Sequence, residues 1–127
     1  MKLPLVVSGT RRVLSVRDKK TLQQDLDDAK EYRIIHVGDC PTGVDAFVWA
    51  LRHEPGYEVV QHTANWDEHG KAAGPLRNRD MLLAAKANPG LLLAYPHREQ
   101  HRGTLDCIEQ AIRLGYDICV TTLEGVE

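Results

Sequence analysis

Ile34-Ile35-His36-Val37-Gly38-Asp39-Cys40-Pro41-Thr42-Gly43-Val44-Asp45 decides how this chain is read. Its apolar start predicts a buried strand, Gly38 to Gly43 a tight turn, and a helical pattern runs on from Val44 to Arg52. A strand, a glycine-bounded turn and a helix N-terminus in that order can cradle a phosphate. Glycine lets the backbone approach the anion, and the first free N–H groups point at it with the positive end of the dipole. The same order also serves as a plain strand-to-helix turn, and the stretch is neither a Walker A loop nor a G-x-G-x-x-G fingerprint. Thr42 and Asp45 have the spacing of a capping box. Val44, Phe47, Val48 and Leu51 form the apolar stripe of the helix, with Trp49 off its centre as a packing or interface residue.

Outward from this stretch the pattern repeats. Leu3 to Ser8 reads as a strand with Pro4 near its start, and Ser8-Gly9-Thr10-Arg11-Arg12 as the loop after it. Asp18 is placed to cap a helix running to about Tyr32, with Leu22, Leu26 and Ala29 on one face. Tyr32 to Val37, Tyr57 to His62, Gly90 to Tyr95 and Tyr116 to Thr121 read as further strands. Thr63 to Gly74 reads as a long irregular connection, and Pro75 suits the first turn of the helix that follows it. Arg77, Asn78 and Arg79 then fall near a helix N-terminus, where cations oppose the dipole unless an anion sits opposite. The plain alternative is that the arginines bridge to Asp67, Glu68 or Asp80. Gly103-Thr104 opens the last helix, with Thr104 as N-cap, Leu105, Ile108 and Ile112 as its stripe, and Gly115 as its stop. The tail from Leu123 reads as loose.

Five strands alternating with helices imply right-handed crossovers and a mainly parallel sheet in a Rossmann-like three-layer αβα fold. Ligands bind such sheets beyond the carboxyl ends of the strands, where the strand order switches. The chain's unusual residues gather there: Ser8 to Arg12, Gly38 to Thr42, Trp66 to Asn78 and Pro96 to Thr104.

At 127 residues, 43% hydrophobic and 27% charged, the composition is that of one ordinary soluble domain. A net charge of −2 disfavours a protein that grips nucleic acid by charge alone. No apolar run approaches the roughly 18 residues of a membrane span. The N-terminus reads as a strand, not a signal peptide. Cys40, Cys107 and Cys119 show no C-x-x-C spacing, which fits reduced thiols in a cytoplasmic protein. His97 and His101, with Cys107 near them, invite a check for zinc or for a Cys–His nucleophile. The stretch reads as loop and the ligands are too few for a metal site. Cys107 near N3 of a helix would have a lowered thiol pKa if exposed, and would be inert if buried.

Four blocks, in order, resemble the SLOG superfamily, the Rossmann-like group that includes the Smf/DprA DNA-processing proteins and the LOG phosphoribohydrolases. Within it the chain is most similar to the small YspA/YpsA-related branch of bacteria and phages. The blocks are Ser8-Gly9-Thr10-Arg11; Gly38 to Asp45; Trp66-Asp67-Glu68-His69-Gly70-Lys71-Ala72-Ala73-Gly74-Pro75-Leu76-Arg77-Asn78, the most specific; and Ala94-Tyr95-Pro96 followed by Arg102-Gly103-Thr104. Together they span roughly residues 3 to 121.

The resemblance implies a single SLOG-like domain that binds a nucleotide or nucleotide-derived small molecule, with no cofactor or metal. Gly38, Thr42 and Gly43 would offer donors to phosphate, with Ser8, Gly9 and Pro96 bordering the site. Gly103 and Thr104 would form a second anion notch, and Arg77 and Arg11 would neutralise charge as guanidinium forks. Asn78 would orient a sugar or base or cap the loop, Trp66 would stack on a base or anchor its loop, and Asp45 would at least complete a cap. LOG enzymes carry a Glu where this chain has Cys107, so Asp106 and Glu109 are the nearest candidate acids for hydrolysis. A binding or sensing module is therefore expected first, a hydrolase of a nucleotide or N-glycosidic bond second, and a DNA-processing protein third. Homo-oligomerisation is expected from the family and from apolar Phe47 and Trp49.

Overall fold

In the computed structural model, residues 3–85, 90–99 and 102–124 are described. Five strands, β1 (Leu3–Gly9), β2 (Tyr32–Val37), β3 (Glu58–Gln61), β4 (Leu91–Tyr95) and β5 (Asp117–Val120), form one sheet in the order β3-β2-β1-β4-β5. Every neighbouring pair is parallel. Register aligns Gly9 with Tyr95, so β1 and β4 end on one level, and Val7 with Val37, so β2 ends two residues earlier at the same edge. The order reverses between β1 and β4, which makes that level the expected crevice of a Rossmann-like sheet.

Helices cover both faces. Val16–Asp28 (α1) and Gly43–Ala50 (α2) place Leu22, Leu26, Val44 and Val48 against Leu5, Val7, Ile35 and Val37. Ala73–Ala84 (α4) and Arg102–Arg113 (α5) place Met81, Leu82, Cys107 and Ala111 against Val6, Leu92 and Ala94. This alternation of neighbours along β1 is the period-two signature of a strand buried on both faces. No helix among the described residues is long and apolar enough to cross a membrane.

Several local expectations shift. Ser15, not Asp18, caps α1, and Asp18 serves as N3 of a capping box. The helix stops at Asp28, short of Tyr32. Thr42 makes no capping bond. Its hydroxyl donates to the Arg11 carbonyl instead, and Asp45 accepts from Cys40 N–H at 3.2 Å. The connection after β3 is not irregular throughout. Trp66–His69 (α3), capped by Asn65, and a 3-10 turn at Gly70–Ala72 lead into α4.

The α5 helix begins at Arg102, so Thr104 lies buried inside its first turn rather than capping it. Its sheet-facing residues are Thr104, Cys107 and Ala111, while Leu105 and Ile112 are exposed. Small side chains let the helix approach the sheet closely, and that close approach selects the buried stripe over side-chain size. Leu123 is buried and its N–H donates to the Pro96 carbonyl at 2.8 Å, so the segment at 121–124 is fastened to the sheet edge.

Candidate functional site

At the carboxyl edge of the sheet, the loop after β1 closes over the start of α2. Thr10 N–H donates to the Tyr95 carbonyl and Val44 N–H to the Thr10 carbonyl, both at 2.9 Å. Gly43 sits at φ +75, and a Cβ there would collide with the carbonyl of Thr10. Gly9 is similarly packed, since an added Cβ would lie 2.7 Å from Val44 Cβ. Gly9 and Gly43 therefore permit strand, loop and helix to touch. The α2 amide of Val44 and the hydroxyl of Thr42 are committed inside the chain rather than offered to a ligand.

Gly38 carries the centre of the site. A Cβ there would lie 2.6 Å from both Arg77 Nη1 and Asp45 Oδ2, so the bare Cα leaves room for the guanidinium on one side and the carboxylate on the other. Arg77 Nη1 donates to Asp39 Oδ1 at 2.9 Å, and the pair is mostly sheltered, with 16% and 27% of the side chains exposed. The anion that the sequence demands opposite Arg77 is thus Asp39, not Asp67, Glu68 or Asp80. Arg79 is the arginine that pairs with Asp80, at 3.7 Å on the exposed surface. Asp39 stands two residues past the end of β2, a position no side-chain periodicity singles out. A Rossmann-like sheet often carries an acid at the end of its second strand, and that is the one signal pointing to it.

Arg77 Nε also donates to Asn78 Oδ1 at 3.0 Å. The Asn78 amide donates to Asp106 Oδ2 at 3.0 Å and to the Gly103 carbonyl at 3.3 Å, and Gln110 donates to the same Asp106 oxygen at 2.9 Å. Asn78 is 3% exposed and both its amide protons are used. It works as an internal bracket that ties the first turn of α5 to α4. Gln110, absent from the sequence reading, completes the polar chain Asp39–Arg77–Asn78–Asp106–Gln110.

The remaining candidates divide. Ser8 and Cys107 are both buried. Burial pushes the Cys107 thiol up to about 12, so desolvation overrides any helix-terminus effect and the group is no nucleophile. Gly103 faces open space and Glu109 is exposed along a shallow groove of about 380 Å³ with Arg102, Leu105 and Asp106. Trp66 is 55% exposed with its ring edge over Gly74, where a Cβ would come within 3.3 Å. Pro96 is buried under Leu123. Arg11 is exposed and forms no ion pair among the described residues. Phe47 packs on the core and Arg52 covers the Trp49 ring at 4.3 Å.

His97 accepts the Glu99 N–H on Nδ1 at 3.0 Å, which leaves Nε2–H to donate to the Glu124 carbonyl at 2.9 Å. Both nitrogens are engaged, while His101 lies outside the described residues. No cluster of metal-ligating side chains occurs among the described residues.

Burial raises the Asp45 carboxyl to about 6, with the Cys40 amide and Arg77 pulling the other way. Behind the site, His36 Nδ1 and His62 Nε2 share a hydrogen bond at 2.9 Å. Burial, with a smaller contribution from His62, lowers His36 to about 4, and burial also lowers His62.

The chain is similar to the Gene 61 protein of Mycobacterium phage D29, with 36% identity over 76 residues. The match covers 58% of this chain and 57% of that protein, so the chain spans less than two thirds of the relative's length. No family model matches, and no solved structure matches.

Proposed function

We propose that this chain is a SLOG-like protein that binds a nucleotide or nucleotide-derived small molecule at the carboxyl edge of its sheet, as a sensing or sequestering module. One observation carries the reading: Arg77 and Asn78 join the loop after β2 to the first turn of α5 beside the switch between β1 and β4. Three of the four family-like blocks thereby meet on one edge. Exposed Arg11, on the loop after β1, supplies a cation able to meet phosphate. Incubation with a panel of nucleotides, followed by thermal shift and by mass spectrometry of products, tests it. A shift with intact ligand supports the binding module. No shift with any nucleotide overturns it.

A hydrolase is the second reading, favoured by Asp106, whose Oδ2 is held by Asn78 and Gln110 while Oδ1 has no partner among the described residues. Glu109 stands outside this network, which leaves Asp106 as the acid to test. Turnover lost on Asp106→Asn with binding retained supports hydrolysis.

A further inference from the structure

The outer edge of β5 is left open. In the parallel ladder with β4, Asp117 N–H donates to the Gly90 carbonyl at 2.8 Å and Thr121 N–H to the Ala94 carbonyl at 2.9 Å. Successive residues of a strand turn their N–H and C=O groups to opposite sides, so Ile118 and Val120 direct theirs away from β4. β5 ends the sheet, and among the described residues no strand meets that side. Open edges are commonly blunted by Lys, Pro or a bulge. The stretch Asp117-Ile118-Cys119-Val120-Thr121 has no Lys and no Pro, and β5 runs beside β4 without a register shift.

Apolar side chains line the same edge. Ile118 and Val120 align with Leu92 and Ala94, which lie beneath α5, so both stand on the α5 face of the sheet. On α5 itself, Asp106 and Gln110 face α4, the first bonded to Asn78 and the second to the Pro75 carbonyl. Leu105 and Ile112, seven residues apart, occupy the other flank, on the β5 side. Ile112 is 63% exposed and Val120 52%, and Leu105 is exposed as well. Phe47 and Trp49 offer no comparable surface, since one packs on the core and Arg52 covers the other.

We propose that β5 pairs antiparallel with β5 of a second copy of this chain across a two-fold axis, with α5 packing beside its counterpart. The unused backbone groups fix the register. Antiparallel residues that exchange hydrogen bonds must have their N–H and C=O groups facing each other. Only a two-fold centred on Cys119 engages both Ile118 and Val120 within β5, each meeting the other residue of the second copy. Cys119 then stands opposite Cys119 of the second copy in the non-hydrogen-bonded position, with Cα atoms about 4.5 Å apart. Both thiols lie on the face of the sheet away from α5 and stay open to solvent. The edge is complementary to itself, which selects a second copy as its occupant. Its one acid, Asp117, falls opposite the Thr121 hydroxyl of the second copy rather than opposite its own twin.

Sedimentation of the full chain at about 100 μM is expected to give twice the mass of one 14.3 kDa chain. Mild oxidation with copper–phenanthroline should link Cys119 to Cys119, because a Cα separation of about 4.5 Å lies within disulfide range. Mass spectrometry of peptides identifies the link. Val120→Lys places a charge on the edge and should weaken association by roughly 10-fold or more, with the link lost and circular dichroism unchanged. If Val120→Lys does not fold, Leu105→Glu on the α5 flank carries the comparison. A single-chain mass at that concentration overturns the proposal. A dimer that forms no Cys119–Cys119 link, or that the edge variant leaves intact, overturns it too, since the second copy then sits elsewhere.

Discussion

Arg77 and Asn78 are neighbours in α4 that reach in opposite directions and are bonded to each other. Arg77 Nη1 meets Asp39 at 2.9 Å on the β2 side, Asn78 meets Asp106 at 3.0 Å on the α5 side, and Arg77 Nε donates to Asn78 Oδ1 at 3.0 Å. One helical turn therefore sets the spacing between the loop after β2 and the start of α5, which the chain separates by more than sixty residues. Damage to either residue should be felt at the other.

Asn78→Ala removes an amide that makes three bonds from a buried position, and leaves Asp106 and the Gly103 carbonyl short of donors. The expected cost is about 2–4 kcal/mol, the range for a broken buried network. Urea unfolding measures it. A cost below about 1 kcal/mol would show that the bracket is not structural.

The Asp39–Arg77 pair is mostly sheltered, so its coupling should exceed that of a surface bridge. A double-mutant cycle with Asp39→Asn and Arg77→Met should return about 1–2 kcal/mol. The exposed Arg12–Glu99 pair, at 3.2 Å, is the internal control and should return well under about 1 kcal/mol.

Two buried groups pull stability in opposite senses with pH. Between about 4 and 6 folded Asp45 holds a proton that the unfolded chain has released, so its contribution falls as pH rises. Folded His36 lacks a proton that the unfolded chain holds between about 4 and 6.5, so its contribution rises with pH over that window. Asp45→Asn keeps an acceptor for Cys40 and removes the falling contribution. Its stability relative to wild type should therefore climb from pH 4 to pH 7, by up to about 3 kcal/mol. Denaturant midpoints at both ends of that range decide, and a difference independent of pH would refute the assignment.

Thiol labelling should separate the three cysteines. Cys119 is exposed on edge strand β5 and Cys40 is half-buried, whereas Cys107 is closed to solvent with its thiol at about 12. Iodoacetamide at pH 8 should modify Cys119 readily and Cys107 only after unfolding. Mass spectrometry of peptides after a timed pulse reads this directly.

The alternation of strands and helices, and the arrival of Ser8–Arg11, Gly38–Asp45 and Arg77–Asn78 at one edge of a parallel sheet, follow from the sequence alone. Period-two and helical patterns are local, glycine and proline mark the turns, and parallel strands joined by crossovers leave their carboxyl ends together. The partners of the site residues are not local. Asp39 answers Arg77 only because α4 crosses from β3 back over β2 and β1, and the α5 stripe turns on Thr104, Cys107 and Ala111 only because the helix must sit close to the sheet. The same holds for charge. Whether Asp45 rises and Cys107 becomes inert depends on how completely the folded chain removes water from them, and tertiary packing alone decides that desolvation.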